Sequence, residues 1–210
     1  MCQAAIITCH DVNSYGASLQ AYALSRFIAD AGHAVSIIDY KPGYLSNHHK
    51  PDAICDPRFD YPVLRQLYLL AKLPGRIQAK ERKKYFDRFT STYLPLTAER
   101  YHSLDELRGA DIRADILIAG SDQIWNTFLN NGHDPAFYLD FGPEKARRIS
   151  YGASFGSALL AHGSEPSVKK HLGLLDEISV RERTGVDLLR SLGYDGEHVC
   201  DPVFLLPADE

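Results

Sequence analysis

Two polar strings in this chain each follow directly on an apolar run, and that pairing constrains the fold more than any other feature. Ala4-Ala5-Ile6-Ile7-Thr8 leads into Asn13-Ser14-Tyr15-Gly16-Ala17-Ser18-Leu19-Gln20, and Asp115-Ile116-Leu117-Ile118-Ala119 leads into Gly120-Ser121-Asp122-Gln123-Ile124-Trp125-Asn126. Short apolar runs bounded by turn residues read as strands buried on both faces, which belong to parallel sheets. After the first string, Leu19, Tyr22, Ala23, Leu24 and Phe27 recur at helical spacing, and Gly32 is placed to end the helix. Ala34-Val35-Ser36-Ile37-Ile38-Asp39 then supplies a second strand, so the chain opens as β–α–β with a right-handed crossover. In an open α/β sheet, ligands collect outside the carboxyl ends of the strands. Both polar strings should face that crevice.

From Lys41 to about Gly109 the alternation breaks. Pro42, Pro51, Pro57, Pro62 and Pro74 punctuate the stretch, while Tyr61 to Leu73 and about Gly75 to Phe89 look helical. The segment reads as a helical insertion forming a wall or lid above the crevice. Strands are then expected at Asp115–Ala119, Ile149–Ala153, Glu177–Arg181 and His198–Cys200, with helices at Ser167–Leu175 and Thr184–Leu192. Such alternation predicts an α/β fold, a doubly wound, mostly parallel Rossmann-like sheet. A length of 210 residues suits one core better than two full domains, so residues 1–206 are expected to form a single domain.

A formal net charge of −4 argues against a general nucleic-acid binder. Lys80, Arg82, Lys83, Lys84 and Arg88 crowd one segment against Glu81 and Asp87; the choice is between a solvated helix face and a patch that draws an anionic partner. Cys2, Cys9, Cys55 and Cys200 lack paired spacing, so neither a zinc site nor a disulfide framework is indicated. His48-His49 has no carboxylate or thiol at ligand spacing, and no metal site is expected. With no basic leader before an apolar stretch and no run approaching a bilayer span, the expectation is a soluble cytoplasmic protein with no transmembrane segment.

The glycine loops match neither G-x-G-x-x-G nor G-x-x-x-x-G-K-[ST], so no nucleotide is specifically indicated. The first helix has free N–H groups near Ala17 to Leu19 that suit a phosphate or carboxylate, and Gly16 would let a ligand approach the backbone. Alternatively, Asn13 or Ser14 only caps that helix. Ser121, Asp122, Gln123 and Asn126 surround a single tryptophan, an arrangement that suits sugar hydroxyls and a stacked pyranose. Alternatively, Asp122 caps a turn and Trp125 is core. A third string, Ser150-Tyr151-Gly152-Ala153-Ser154-Phe155-Gly156, again ends a strand in small and hydroxyl residues. Arg181 closes a fourth strand; its planar fork suits a carboxylate or phosphate, or it pairs with Glu182 or an aspartate. His10 follows the first strand and could serve at the crevice as acid or base, or be structural.

These four strings in this order, with Ile37-Ile38-Asp39-Tyr40 and the late Asp201-Pro202-Val203-Phe204-Leu205-Leu206, resemble the polysaccharide pyruvyl transferase family nearly end to end. Members often carry two asparagines before Tyr-Gly-Ala, where this chain has Asn13-Ser14. The resemblance implies a two-domain enzyme of the GT-B glycosyltransferase type that moves pyruvyl from phosphoenolpyruvate onto sugar hydroxyls as a ketal. This chain would be its N-terminal domain, with residues 207–210 starting the connection to an absent second domain, and the fragment alone is expected to be inactive. Asp122 and His10 become the acid–base candidates. Asn13, Tyr15, Gly16, Gln20, Gly120, Ser121, Gln123, Trp125, Asn126, Ser154 and Arg181 become substrate-binding candidates, with Arg181 the donor's cation. The implied partners are phosphoenolpyruvate, a glycan acceptor and the chain's own C-terminal domain; no cofactor is implied, and action on lipid-linked glycans at the inner membrane surface fits. The alternatives are a GT-B glycosyltransferase using a nucleotide sugar and a non-catalytic glycan- or phosphate-binding module.

Overall fold

The computed structural model describes residues 1–46 and 73–207, with side chains described for 1–45 and 81–207. The expected helix at Tyr61–Leu73, apart from Leu73, and the His48-His49 pair lie outside the described residues. β1 (Gln3–Ile7) pairs in parallel with β2 (Ala34–Tyr40) on one side and β4 (Ile116–Ala119) on the other; β3 (Leu96–Tyr101) flanks β2, and β5 (Arg147–Ser150) flanks β4. The order is therefore β3-β2-β1-β4-β5. A parallel pair, β6 (Ser179–Val180) and β7 (Glu197–His198), continues beyond β5 through bridges at Ile149–Glu177 and Ala153–Val180. The expected mostly parallel, Rossmann-like sheet is what the chain forms.

The strand alternation explains why the sheet is covered on both faces. Ala4 and Ile6 of β1, Ile37 of β2 and Ile118 of β4 point one way and bury against Ala21 and Leu24 of α1 (Tyr15–Asp30). Ala5, Ile7, Ile38, Leu117 and Ala119 point the other way and bury against Trp125, Phe137 and Tyr138. The same layer holds Leu107 of α4 (Leu104–Gly109), Leu172 of α5 (Glu165–Leu172) and Leu189 of α6 (Arg183–Ser191). Gly32, at φ +84, ends α1: its N–H donates to the Ala29 carbonyl and that of His33 to the Ile28 carbonyl, the arrangement a left-handed residue makes possible.

The segment from Lys41 to Gly109 is not helical throughout. After α2 (Gly43–Ser46) and α3 (Leu73–Tyr93), it returns to the sheet as β3. This strand hides in the sequence because it lies at the sheet edge: Ala98, Glu99 and Arg100 are exposed, so neither alternation nor an apolar run marks it. On α3, Lys83 and Lys84 pair with Asp87 and Glu81 at 2.5 and 2.7 Å, in side chains that are 38–64% exposed, which is the solvated face.

Asp39 ties three strands together. Its Oδ1 lies 3.0 Å from His10 Nε2 beyond β1, its Oδ2 accepts from Arg100 Nε of β3 at 2.9 Å, and Lys41 Nζ stands 3.5 Å away. Burial alone would raise its pKa. The hydrogen bonds from His10 and Arg100 and the charge of Lys41 outweigh burial and hold it well below the usual carboxylate range. A depressed carboxylate adds stability above its unfolded value of 3.8 and loses it as pH falls further. Asp39→Asn should lower unfolding free energy in urea by about 2 kcal/mol at neutral pH, less than for a fully buried pair because Arg100 can re-solvate. The difference from the parent should shrink on acidification; an unchanged midpoint at neutral pH would show that the network is neutral to stability.

Candidate active site

Strand order reverses between β1 and β4, so their following loops diverge and leave a crevice at the switch point. A cavity of about 460 Å³ opens there, lined among others by Asn13, Ser14, Tyr44, Asp122, Gln123 and Asn131. Gly120 makes the close approach of the two strand ends possible: a Cβ there would stand 3.1 Å from Thr8 Cβ and 3.2 Å from Ile6 Cγ2. Thr8 Oγ1 donates to the Ser121 carbonyl at 2.7 Å and accepts from Gln20 Nε2 at 2.9 Å. Gln20 is thus a buried brace between α1 and both strand ends, with its Oε1 unpartnered.

The start of α1 supplies the site's positive end. Ser14 is the N-cap residue by backbone conformation, yet its side chain makes no capping hydrogen bond. A Cβ on Gly16 would meet nothing nearer than Ser14 Oγ at 4.0 Å, so the first turn is open on that side. Sixteen residues of helix stand behind these N–H groups, a direction that favours an anion.

Asp122 carries the strongest local signal. Its φ of 127 lies where side chains are strained, a condition concentrated at functional loops. Its backbone is fixed by a parallel bridge to Ala153 and by the Ser154 N–H, which donates to its carbonyl at 3.0 Å, while its Oδ1 accepts from the Gln123 N–H at 2.7 Å. Burial raises the carboxyl above its ordinary value; the Gln123 N–H and the Arg181 charge oppose this, and Asp201 reinforces it. The result is a carboxyl shifted toward the range useful for proton transfer.

Arg181 lines a neighbouring cleft of about 380 Å³ with Glu182, His198 and Asp201. Its Nη1 donates to Asp201 Oδ2 at 2.8 Å and to Ser121 Oγ at 3.2 Å, and its Nε donates to Glu182 Oε1 at 3.2 Å. Ser154 Oγ donates to the same Glu182 oxygen at 2.6 Å. Four strand ends are thereby joined in one polar network, and the fork of Arg181 is engaged by protein carboxylates.

Other candidates take structural places. Trp125 is fully buried, stacked on Tyr138 at 5.5 Å with its Nε1 donating to the Phe137 carbonyl at 3.0 Å. It offers no ring face to a sugar, because the apolar turn after Asp122 folds inward. His10 is also buried, its ring nitrogens facing Asp39 and the Thr8 carbonyl; it lies outside the crevice lining and serves the Asp39 network. Asn126 donates to Gln123 Oε1 at 3.0 Å and accepts from the Phe128 N–H at 3.0 Å, shaping the loop. Asn13, Tyr15 and Gln123 remain at the surface of the site, Tyr15 as an exposed ring.

The sequence reading did not single out Tyr44, Asn131 or Asp134. Tyr40 and Tyr44 each donate to Asp134 Oδ2 at 2.6 Å; burial and then the Asp134 carboxylate raise both phenols far above the ordinary value, so they stay protonated. The Asn131 amide donates to the Gln123 carbonyl. Only the pairing of distant loops reveals these roles. Among the described residues, no group of three His, Cys, Asp or Glu could hold a metal ion, and no helix is long and apolar enough to cross a membrane.

An open parallel sheet with polar loops at its switch point defines a Rossmann-like α/β domain. Within that class, residues 15–210 match the family model for polysaccharide pyruvyl transferase, and the chain belongs to that family. Searches among curated proteins and among solved structures gave no match.

A carboxyl raised by folding is destabilising once ionised: the cost is absent below its unfolded value of 3.8 and grows as pH climbs through the folded value. Asp122→Asn keeps the acceptor oxygen and a residue tolerant of positive φ. Its thermal midpoint should therefore exceed the parent's at neutral pH, with the gap closing toward acid; a lower midpoint at neutral pH would mean that the charge stabilises the loop. Trp125 is the chain's single tryptophan, and its emission should be blue-shifted and resistant to iodide. Strong quenching would expose the indole.

Proposed function

We propose that the chain is the N-terminal half of an enzyme that transfers pyruvyl from phosphoenolpyruvate to two hydroxyls of a surface glycan, forming a ketal. Family membership supports a transferase acting in polysaccharide biosynthesis. The observation that carries the finer reading is the switch-point crevice, where a sixteen-residue helix start without a side-chain cap faces the partly buried Asp122.

The chemistry matches those parts. Phosphoenolpyruvate gains a proton at its methylene carbon, which makes C2 electrophilic; two sugar hydroxyls add at C2, and phosphate leaves. Of the two hydroxyl protons, one balances the proton gained at carbon and the other leaves with phosphate. The first-turn N–H groups of α1 would bind the donor's phosphate or carboxylate, and Asp122 would pass the proton as a group shifted toward neutrality. Arg181 acts as a positioning residue: through Ser121 and Asp201 it holds the loop that carries Asp122. Lys41, beyond β2, is engaged by Asp11 at 3.3 Å and by Asp39 at 3.5 Å. A second α/β domain of a GT-B arrangement would supply the missing charge and exclude water from the donor. A site on the cytoplasmic side, working on lipid-linked glycan, fits this reading.

The nucleotide-sugar alternative fits less well. There is no phosphate-binding glycine fingerprint after β1, and the carboxylate at the end of β2, Asp39, is already engaged by His10, Arg100 and Lys41. Calorimetric titration separates the two readings: phosphoenolpyruvate should bind saturably and be displaced by inorganic phosphate, whereas tighter binding of a uridine diphosphate sugar would overturn the proposal. In the protein joined to its second domain, Asp122→Asn should reduce ketal formation by about 10²- to 10⁴-fold, read from the ketal methyl signal by NMR. Unchanged turnover would remove Asp122 from the chemistry.

A further inference from the structure

A third cavity, of about 210 Å³, lies between α1 and α3. Tyr15, Tyr85, Phe86 and Phe89 wall it, Arg82 stands at its side, and Ser18 is among its lining residues. Tyr15 and Phe86 meet at 5.1 Å with rings tilted by 52°, and the Arg82 guanidinium lies 5.7 and 5.5 Å from their centroids. Tyr15 and Tyr85 are 69% and 74% exposed, so aromatic surface is held in water at the mouth.

Ser18 is the unusual member. Only 4% of it is exposed, and its Oγ has no hydrogen-bond partner. A helical serine commonly bonds a carbonyl one turn back; Ser18 does not. A buried, unpartnered hydroxyl on a residue that lines an aromatic cavity is a place where a ligand hydroxyl would complete the bonding.

The cavity adjoins the crevice described above. Arg82 Nη2 donates to the Asn13 carbonyl at 3.2 Å, and Asn13 and Ser14 line the larger cavity. The first turn of α1 therefore separates the two spaces, with the anion-favouring N–H groups on one side and the aromatic walls on the other.

We propose that this cavity is a pyranose subsite for the glycan acceptor, an inference that rests on the glycan-modifying function above. The volume lies below the range that takes a drug-sized molecule, which suits one ring. The negative faces of the aromatic rings attract polarised C–H groups, and sugar hydroxyls meet Ser18 Oγ and the donor groups of Arg82. An acyl or prenyl chain would cover the same walls but would leave the Ser18 hydroxyl buried and unpaired.

The test is saturation-transfer NMR with the methyl glycosides of glucose, galactose and mannose and with 1-hexanol as an apolar probe, beside calorimetry with phosphoenolpyruvate. At least one glycoside should bind saturably. Ser18→Ala and Tyr85→Ala should each weaken it roughly fivefold or more, the loss of one buried contact, and leave phosphoenolpyruvate affinity unchanged. Both variants spare the core, since Tyr85 is exposed and alanine favours a helix. Binding of phosphoenolpyruvate without any glycoside, glycoside binding insensitive to both substitutions, or binding of 1-hexanol alone would overturn the subsite. Glycoside binding sensitive to Ser18 in a protein that ignores phosphoenolpyruvate would support the subsite and defeat the donor reading instead.

Discussion

β1 is hydrogen-bonded in parallel on both edges, to β2 and to β4, and its side chains bury into a core on each face. A strand in that position must be apolar throughout and must be left by loops that diverge, because the crossovers that follow wind in opposite directions from it. The crevice is a geometric result of this reversal. Gly120 and the Gln20–Thr8–Ser121 chain of hydrogen bonds fix how closely the two loops begin. Loss of that register would move Asp122 away from the start of α1.

Charge is concentrated in two paired clusters that flank the crevice loops. Asp39 gathers cations beneath the site, and Arg181 gathers Asp201, Glu182 and Ser121 beside it. Both clusters are internally satisfied. Between them, Asp122 is left with a backbone N–H as its close partner and with the Arg181 charge at longer range. That contrast sets Asp122 apart from the residues whose partners are all within the protein.

Much of the fold was legible because β1, β2 and β4 are built around apolar runs, broken in β2 by Ser36 and closed by Asp39, and α1 has clear helical spacing ended by Gly32. β3 was hidden by its position at the edge, where Glu99 and Arg100 face water. The site was legible as strings but not as roles. Whether Trp125 faces a ligand or the core depends on Tyr138 and Phe155 packing on it, and the sequence does not bring those residues together. His10 likewise acquires its place only when Asp39, from the next strand, closes on it. Arg181 could have paired outward or inward, and the carboxylate of Asp201, twenty positions on, decides for inward.

The central claim is that the switch-point crevice binds the donor. Amide chemical-shift mapping of the isotopically labelled protein during a phosphoenolpyruvate titration tests it most directly. The largest shifts should fall on the N–H groups of Tyr15, Gly16 and Ala17 and on Asp122 and Gln123, with common saturation behaviour. Shifts confined to the Arg181–Asp201 cleft, or their absence at saturating ligand, would contradict the account.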